Sequence, residues 1–243
     1  MVFSSVLFLF YFMPIAFTVY YLVPRKYKNL TLLILSLIFY SWGEVRYCPI
    51  MLSSIIVDYM ASNGIERSGN NSFKRRMWLL LSVVFNLGML GFFKYSGFFA
   101  TNINAITGLN IPIPSFTLPL GISFYTFQTM SYTIDVYRGN VKAEHDIIDF
   151  GAFVVLFPQL IAGPIVRYSD IHNELRNRTT DLGQISSGAK YFILGLASKV
   201  LIANNAGALW TEISSAGFEG ISTPLAWLSI LAYTLQIYFD FSG

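Results

Sequence analysis

From Tyr95 to Ile134 the chain runs without one charged side chain, yet the interval is rich in hydrogen-bonding groups. Overlapping its end lies Leu118 to Gly139, LPLGISFYTFQTMSYTIDVYRG. A helix starting near Gly121 sets Tyr125, Gln128, Tyr132 and Asp135 at steps of three, four and three, on one face. Arg138 follows one turn later and can close an end-of-helix ion pair with Asp135. Hydrocarbon cannot hydrogen-bond such groups, so in a membrane the stripe must turn toward protein or a water-filled cavity. Two uses fit it: a polar seam that joins helices, or the lining of a substrate path.

The membrane setting follows from the charge shortage. Hydrophobic residues make up 54% of the 243 residues and charged ones 12%, against a charged quarter in soluble domains. Sixteen Lys+Arg and thirteen Asp+Glu, clustered in a few loops, cannot clothe a large water-facing surface. The expected fold is all-α: a polytopic transmembrane helical bundle. A net charge of +3, with basic residues confined to short loops, suits membrane flanks and argues against a nucleic-acid partner. Cys48 is the only cysteine, so no intrachain disulfide and no CxxC site can form.

Val2 to Val23 is long enough to span and carries its positive charges after it, at Arg25, Lys26 and Lys28. That order predicts a retained first helix rather than a cleaved signal, with Pro14 as a tolerated kink. Leu30 to Trp42 and Tyr47 to Ala61 predict a tight helical hairpin across Gly43 to Arg46. A second basic loop (Arg67, Lys74, Arg75, Arg76) then returns to the side of the first, which the charge rule makes cytoplasmic, with the N-terminus outside. A further span is expected from Met77 to Phe93, closed by Lys94 and Tyr95 at the interface. Pro112, Pro114 and Pro119 predict a loop from Gly108 to Pro119.

The apolar run Phe150 to Val166 is interrupted by Pro158 and by Gly163-Pro164. A full crossing would put Arg167, Arg176 and Arg178 outside against the charge rule, so a broken or re-entrant segment is expected, beside a cavity that covers its backbone. There Gln159, Gly163, Pro164 and Arg167 form a second polar group, read either as a kink with a snorkelling arginine or as a site for an anionic or polar ligand. Tyr168 to Asp181 is placed at the surface or interface. Gln184 to Ala203 and Leu225 to Phe241 are expected to cross, the last with Tyr233, Gln236 and Asp240 on one face. With no repeat and no linker, residues 1–243 read as one domain or part of one.

Motifs for serine hydrolases, zinc peptidases and nucleotide binding are absent from the sequence. His145 and His172 stand in polar segments with Glu144, Asp146 and Asp170. Without helical pair spacing or a third ligand they predict surface residues and no metal site.

Three runs in order, LPLGISFYTFQTMSYTIDVYRG, LFPQLIAGPIVRYSDI and YTLQIYFDFSG, closely resemble the membrane-bound O-acyltransferase family, in its alginate O-acetyltransferase branch. The resemblance covers most of the chain, which looks like an N-terminal portion of such a protein. It implies a multi-pass protein of the cell membrane that takes an acetyl group from a cytoplasmic donor and passes it toward an extracytoplasmic polysaccharide such as alginate. An extracytoplasmic acetyltransferase partner and the polysaccharide acceptor are implied with it. No bound cofactor is implied beyond the acyl donor. The family's essential histidine lies in segments that follow the YFDFSG motif. Neither His145 nor His172 sits in a matching motif, so no catalytic residue is assigned in this chain, which alone is expected to be inactive. The competing expectation, from the polar stripe, is a non-enzymatic transporter or assembly subunit.

Overall fold

The structure, a computed structural model, describes residues 3–110, 112–113, 117–160, 166–179 and 181–242. All regular elements among them are helical. In chain order they are α1 (Met13–Leu22), α2 (Lys28–Glu44), α3 (Cys48–Arg67), α4 (Ser72–Thr107), α5 (Ile122–Arg138), α6 (Ile147–Val155), α7 (Phe157–Leu160), α8 (Tyr168–Arg176), α9 (Leu182–Ala197), α10 (Asn204–Ser215) and α11 (Thr223–Ser242). A π-turn at Phe8–Phe12 leads into α1, and another, Ser198–Ala203, joins α9 to α10.

Two helical runs, Ser72–Thr107 and Leu182–Ser215, are long and apolar enough to cross a membrane. Their surfaces carry large apolar side chains in the open, among them Val84 at 66%, Phe98 at 63% and Leu201 at 67% exposure. Apolar surface on this scale belongs against lipid. The protein is an all-α membrane protein.

The chain sorts into two compact units, Pro14–Arg178 and a second made of Val2–Met13 with Thr179–Gly243. In the first, α3 packs against α4 and α5, while α2 packs chiefly on α6 and α7. The hairpin of α2 and α3, turned by a 3-10 segment at Val45–Tyr47, is therefore open rather than tight, because each arm finds a different partner. Tyr40, Met51, Ile122, Tyr125, Tyr132, Phe150, Phe153 and Leu160 fill the space between these helices. In the second unit the run through α9 and α10 packs on α11. There Trp210 stacks on Tyr233 at 4.7 Å between centroids, and Lys199 pairs with Asp240.

Helix α4 does not stop at Phe93 as expected. It continues to Thr107, capped at its start by the Asn71 side chain, which accepts from the Lys74 N–H at 3.1 Å, and at its end by left-handed Gly108. Lys94 and Tyr95 are no helix breakers, so nothing local ends it before the glycine. The loop before α5 is present where described. It ends at Gly121, with φ of 72°, where an added Cβ would stand 2.8 Å from the Leu160 carbonyl oxygen. Both facts restrict the position to glycine.

The apolar run from Phe150 is broken, as expected, but at Leu156, whose extended backbone (φ −50°, ψ 111°) ends α6. Pro158 explains the place: it has no N–H to give the Val154 carbonyl and its ring clashes with that turn, whereas it is tolerated in the first turn of a new helix, here α7. At about 1.5 Å per residue, the nine residues of α6 cannot cross ~30 Å of hydrocarbon.

Candidate functional site

Two carboxylates lie in the interior of the Pro14–Arg178 unit, and each has a different kind of partner. Asp58, on α3, is completely buried. Its Oδ1 accepts from the hydroxyls of Ser82 and Thr133 (3.1 Å for the latter), and its Oδ2 accepts from Asn86 Nδ2 at 2.7 Å. Asn86 in turn accepts from the Ser54 hydroxyl at 2.7 Å. Three helices, α3, α4 and α5, are thus joined by one acid and four neutral groups. All of them follow from helical spacing, since Ser54 and Asp58, Ser82 and Asn86, and Thr129 and Thr133 are each one turn apart.

Glu144, in the segment between α5 and α6, is 2% exposed. Arg176 of α8 holds both its oxygens through Nη2, at 2.8 and 2.9 Å. The Tyr168 hydroxyl donates to Oε2, and the backbone N–H groups of His145 and Asp146 donate to Oε1 at 2.9 and 3.1 Å. Burial alone would raise this carboxyl. Tyr168, the Asp146 amide and the Arg176 guanidinium together overcome it and hold Glu144 below the usual carboxylate range. Burial and the same carboxylate push the Tyr168 phenol up, and Glu144 raises Arg176. The segment is tied down further by Tyr132, whose hydroxyl accepts the Glu144 N–H at 2.7 Å, and by Asn63, which donates to the Glu144 carbonyl at 2.9 Å and meets His145 Nδ1 at 2.7 Å. His145 Nε2 stands 3.0 Å from Glu66.

The α5 stripe divides. Tyr125, Gln128 and Tyr132 are buried, Asp135 is half-buried and Arg138 is exposed. Asp135 accepts from Asn140 Nδ2 at 3.0 Å and makes no ion pair with Arg138 among the described residues; the helix ends at Gly139 and folds Asn140 back over the acid first. Tyr132 supports Glu144 and Gln128 donates to the Phe153 carbonyl at 3.2 Å. The Tyr125 hydroxyl is buried without a hydrogen-bond partner among the described residues.

Gln159 also gives its amide to the Phe153 carbonyl, at 2.5 Å. Arg167 is exposed at the N-cap of α8, and no hydrogen bond joins the two among the described residues. Gly163 and Pro164 lie outside the described residues.

Sequence reasoning missed both acids. Glu144 drew notice only as a polar neighbour of His145, and Tyr168 fell in a segment placed at the surface or interface; both are buried, where the Tyr168 hydroxyl and Arg176 meet the Glu144 carboxylate and Asn63 and Tyr132 meet its backbone. Asp58 carried a signal, a lone acid in the apolar run Tyr47 to Ala61, of the kind that needs a partner in a membrane.

Over its whole length the chain is 42% identical to the "Probable alginate O-acetylase AlgI" of Pseudomonas syringae pv. tomato, across 47% of that protein. The chain is a homologue of the alginate O-acetylases. The resemblance to the membrane-bound O-acyltransferases in their alginate branch is thereby borne out. The peptidoglycan O-acetyltransferase of Helicobacter pylori is 34% identical over the whole chain and 52% of its own length. The teichoic acid D-alanyltransferase of Streptococcus thermophilus is 27% identical over 51% of the chain and 31% of its own length. No family model matches. The chain spans about half the length of the alginate O-acetylases it matches.

Proposed function

We propose that this chain forms the first part of a multi-pass cell-membrane O-acyltransferase that passes an acetyl group from a cytoplasmic donor toward an extracytoplasmic polysaccharide such as alginate. The observation that carries this is the end-to-end similarity, at 39 to 42% identity, to five proteins named alginate O-acetylase. The described fold supports it with a scaffold rather than a reaction centre. Asp58 and Glu144 are saturated by donors that hold helices together, and a saturated carboxylate cannot also take a proton from an acceptor hydroxyl. Residues 1–243 act as one wall of a single transmembrane domain, and the base that activates the hydroxyl comes from elsewhere in the protein. No cofactor is held beyond the acyl donor, and an extracytoplasmic acetyltransferase completes the transfer to polymer.

The test is restoration of polymer acetylation. The full-length protein, expressed in an alginate producer lacking its own O-acetylase, should return ester-linked acetyl groups to the polymer, and residues 1–243 alone should not. Unacetylated polymer from a strain with membrane-inserted full-length protein would reject the reading.

A further inference from the structure

Where α3 gives way to α4, the Pro14–Arg178 unit carries an open groove of about 590 Å³. Tyr59, Asn63, Arg67, Asn71, Lys74 and Trp78 line it. Arg67 and Lys74 are exposed and have no carboxylate partner among the described residues. The groove thus presents two cations at the start of a long helix whose first N–H groups add partial positive charge; the Tyr59 hydroxyl and the Asn63 amide of its wall already donate to the carbonyls of His145, Tyr59 and Glu144. The Trp78 ring lies against the α3 backbone so closely that a Cβ at Gly64 would stand 2.4 Å from it. That contact lets the indole form the groove wall without filling it.

A second, open apolar groove of about 580 Å³ adjoins the first, sharing Lys74 and Trp78 and continuing along the face of α4 past Met77, Leu80, Leu81 and Val84. A basic groove that adjoins an apolar helix face matches a molecule with a phosphate at one end and a hydrocarbon chain at the other. We propose that this is a binding site for an anionic phospholipid of the cytoplasmic leaflet, its phosphate between Arg67 and Lys74 and one acyl chain along Met77, Leu80 and Val84. The cytoplasmic side follows from the basic residues themselves. The site is independent of the acyl-transfer reading: the phosphate is placed on Arg67 and Lys74, which make no hydrogen bond to Asp58 or Glu144 among the described residues, although Asn63 of the groove wall also braces the Glu144 segment.

The probe is phosphatidylglycerol, with phosphatidylcholine as its zwitterionic counterpart, added to the full-length protein in detergent and followed by native mass spectrometry. Retention of phosphatidylglycerol should exceed that of phosphatidylcholine by on the order of tenfold, as two cations at a membrane surface allow. Arg67→Gln with Lys74→Gln should abolish the difference. Arg25→Gln with Lys26→Gln, the same change of charge elsewhere, should leave it intact. In vesicles, brominated phosphatidylglycerol should quench the emission that Trp78→Phe removes more than brominated phosphatidylcholine does. Equal retention of the two lipids, equal loss in both double variants, or displacement of the lipid by millimolar inorganic phosphate would overturn the assignment; the last would mark a site for free phosphate instead.

Discussion

The backbone N–H of Phe157 does not bond the carbonyl of Phe153, four residues earlier, although in an unbroken helix it would. The N–H donates instead to the buried Ser36 hydroxyl of α2 at 3.1 Å, and the carbonyl accepts from the side chains of Gln128 and Gln159. A break in a buried helix strands backbone donors and acceptors on either side of it, and each must be matched away from water. Here the Phe157 N–H and the Phe153 carbonyl are matched by side chains, two of them on other helices. The break is a designed joint that fastens α6 and α7 to α2 and α5.

Ser36→Ala should therefore destabilise the protein by about 1–3 kcal/mol, the cost of a stranded buried donor, while Ser36→Thr keeps the acceptor and loses less. Gln128→Leu and Gln159→Leu share one carbonyl, so either alone should be milder than the pair together. Thermal unfolding of the full-length protein in detergent, read as a double-mutant cycle, checks both. Strictly additive glutamine effects would mean that the carbonyl is not their common partner.

Around Asp58 the amide of Asn86 faces Oδ2, so Asp58→Asn sets two NH2 groups against each other and should lower stability by about 1–3 kcal/mol. Adding Asn86→Asp reverses the polarity of the contact. The exchanged pair can still accept from Ser82, Thr133 and Ser54, and should regain most of the loss. A double variant no better than Asp58→Asn would show that the acid is needed at position 58 itself and not merely at either end of the contact.

Glu144 gives a pH signature with a definite sign. Its folded-state value lies below the ordinary 4.5, so its stabilising contribution is complete above about pH 4.5 and is lost as the pH falls through the lowered value. Arg176→Gln removes one cause of that lowering. The variant should be less stable near neutrality and show a flatter decline on acidification, both read from unfolding midpoints across the acid range. A steeper acid decline than wild type would contradict the pairing.

The two buried tyrosines of α5 should respond in opposite ways. Tyr132→Phe strands the Glu144 N–H and should cost about 1 kcal/mol. Tyr125→Phe removes a hydroxyl that has no partner among the described residues and should leave stability unchanged or raised. Loss of acetyl transfer by the full-length Tyr125→Phe protein, with stability intact, would make that hydroxyl part of a substrate path; full activity would leave the stripe a seam.

Helix positions were legible because apolar runs and glycine or proline stops report on the chain locally. The α5 start at Gly121 and the loop before it came directly from residues of this kind. What could not be read was pairing at a distance. Glu144 looks like a surface acid until Arg176, thirty-two residues on, is folded against it, and the open form of the α2 and α3 hairpin depends on α6. Even the Leu156 break, anticipated from Pro158, takes its meaning from Ser36, which no local pattern connects to it.

The length of α4 has a mechanical consequence. Its 36 residues make a rod of roughly 54 Å at about 1.5 Å per residue, against ~30 Å of hydrocarbon and a tilt of at most about 40°. Even at that lean it rises about 41 Å, the thickness of the bilayer with its headgroups. With its basic start in one headgroup layer, its final turns would stand in the other. They are suited to that passage: Thr101, Asn102 and Thr107 fold their polar groups back onto the carbonyls of Gly97, Phe98 and Ile103, at 2.9, 2.8 and 2.6 Å. With those groups already paired, the final turns can lie against oil or headgroup at little electrostatic cost, so a mismatch between this helix and the bilayer is one that a change of lean can absorb.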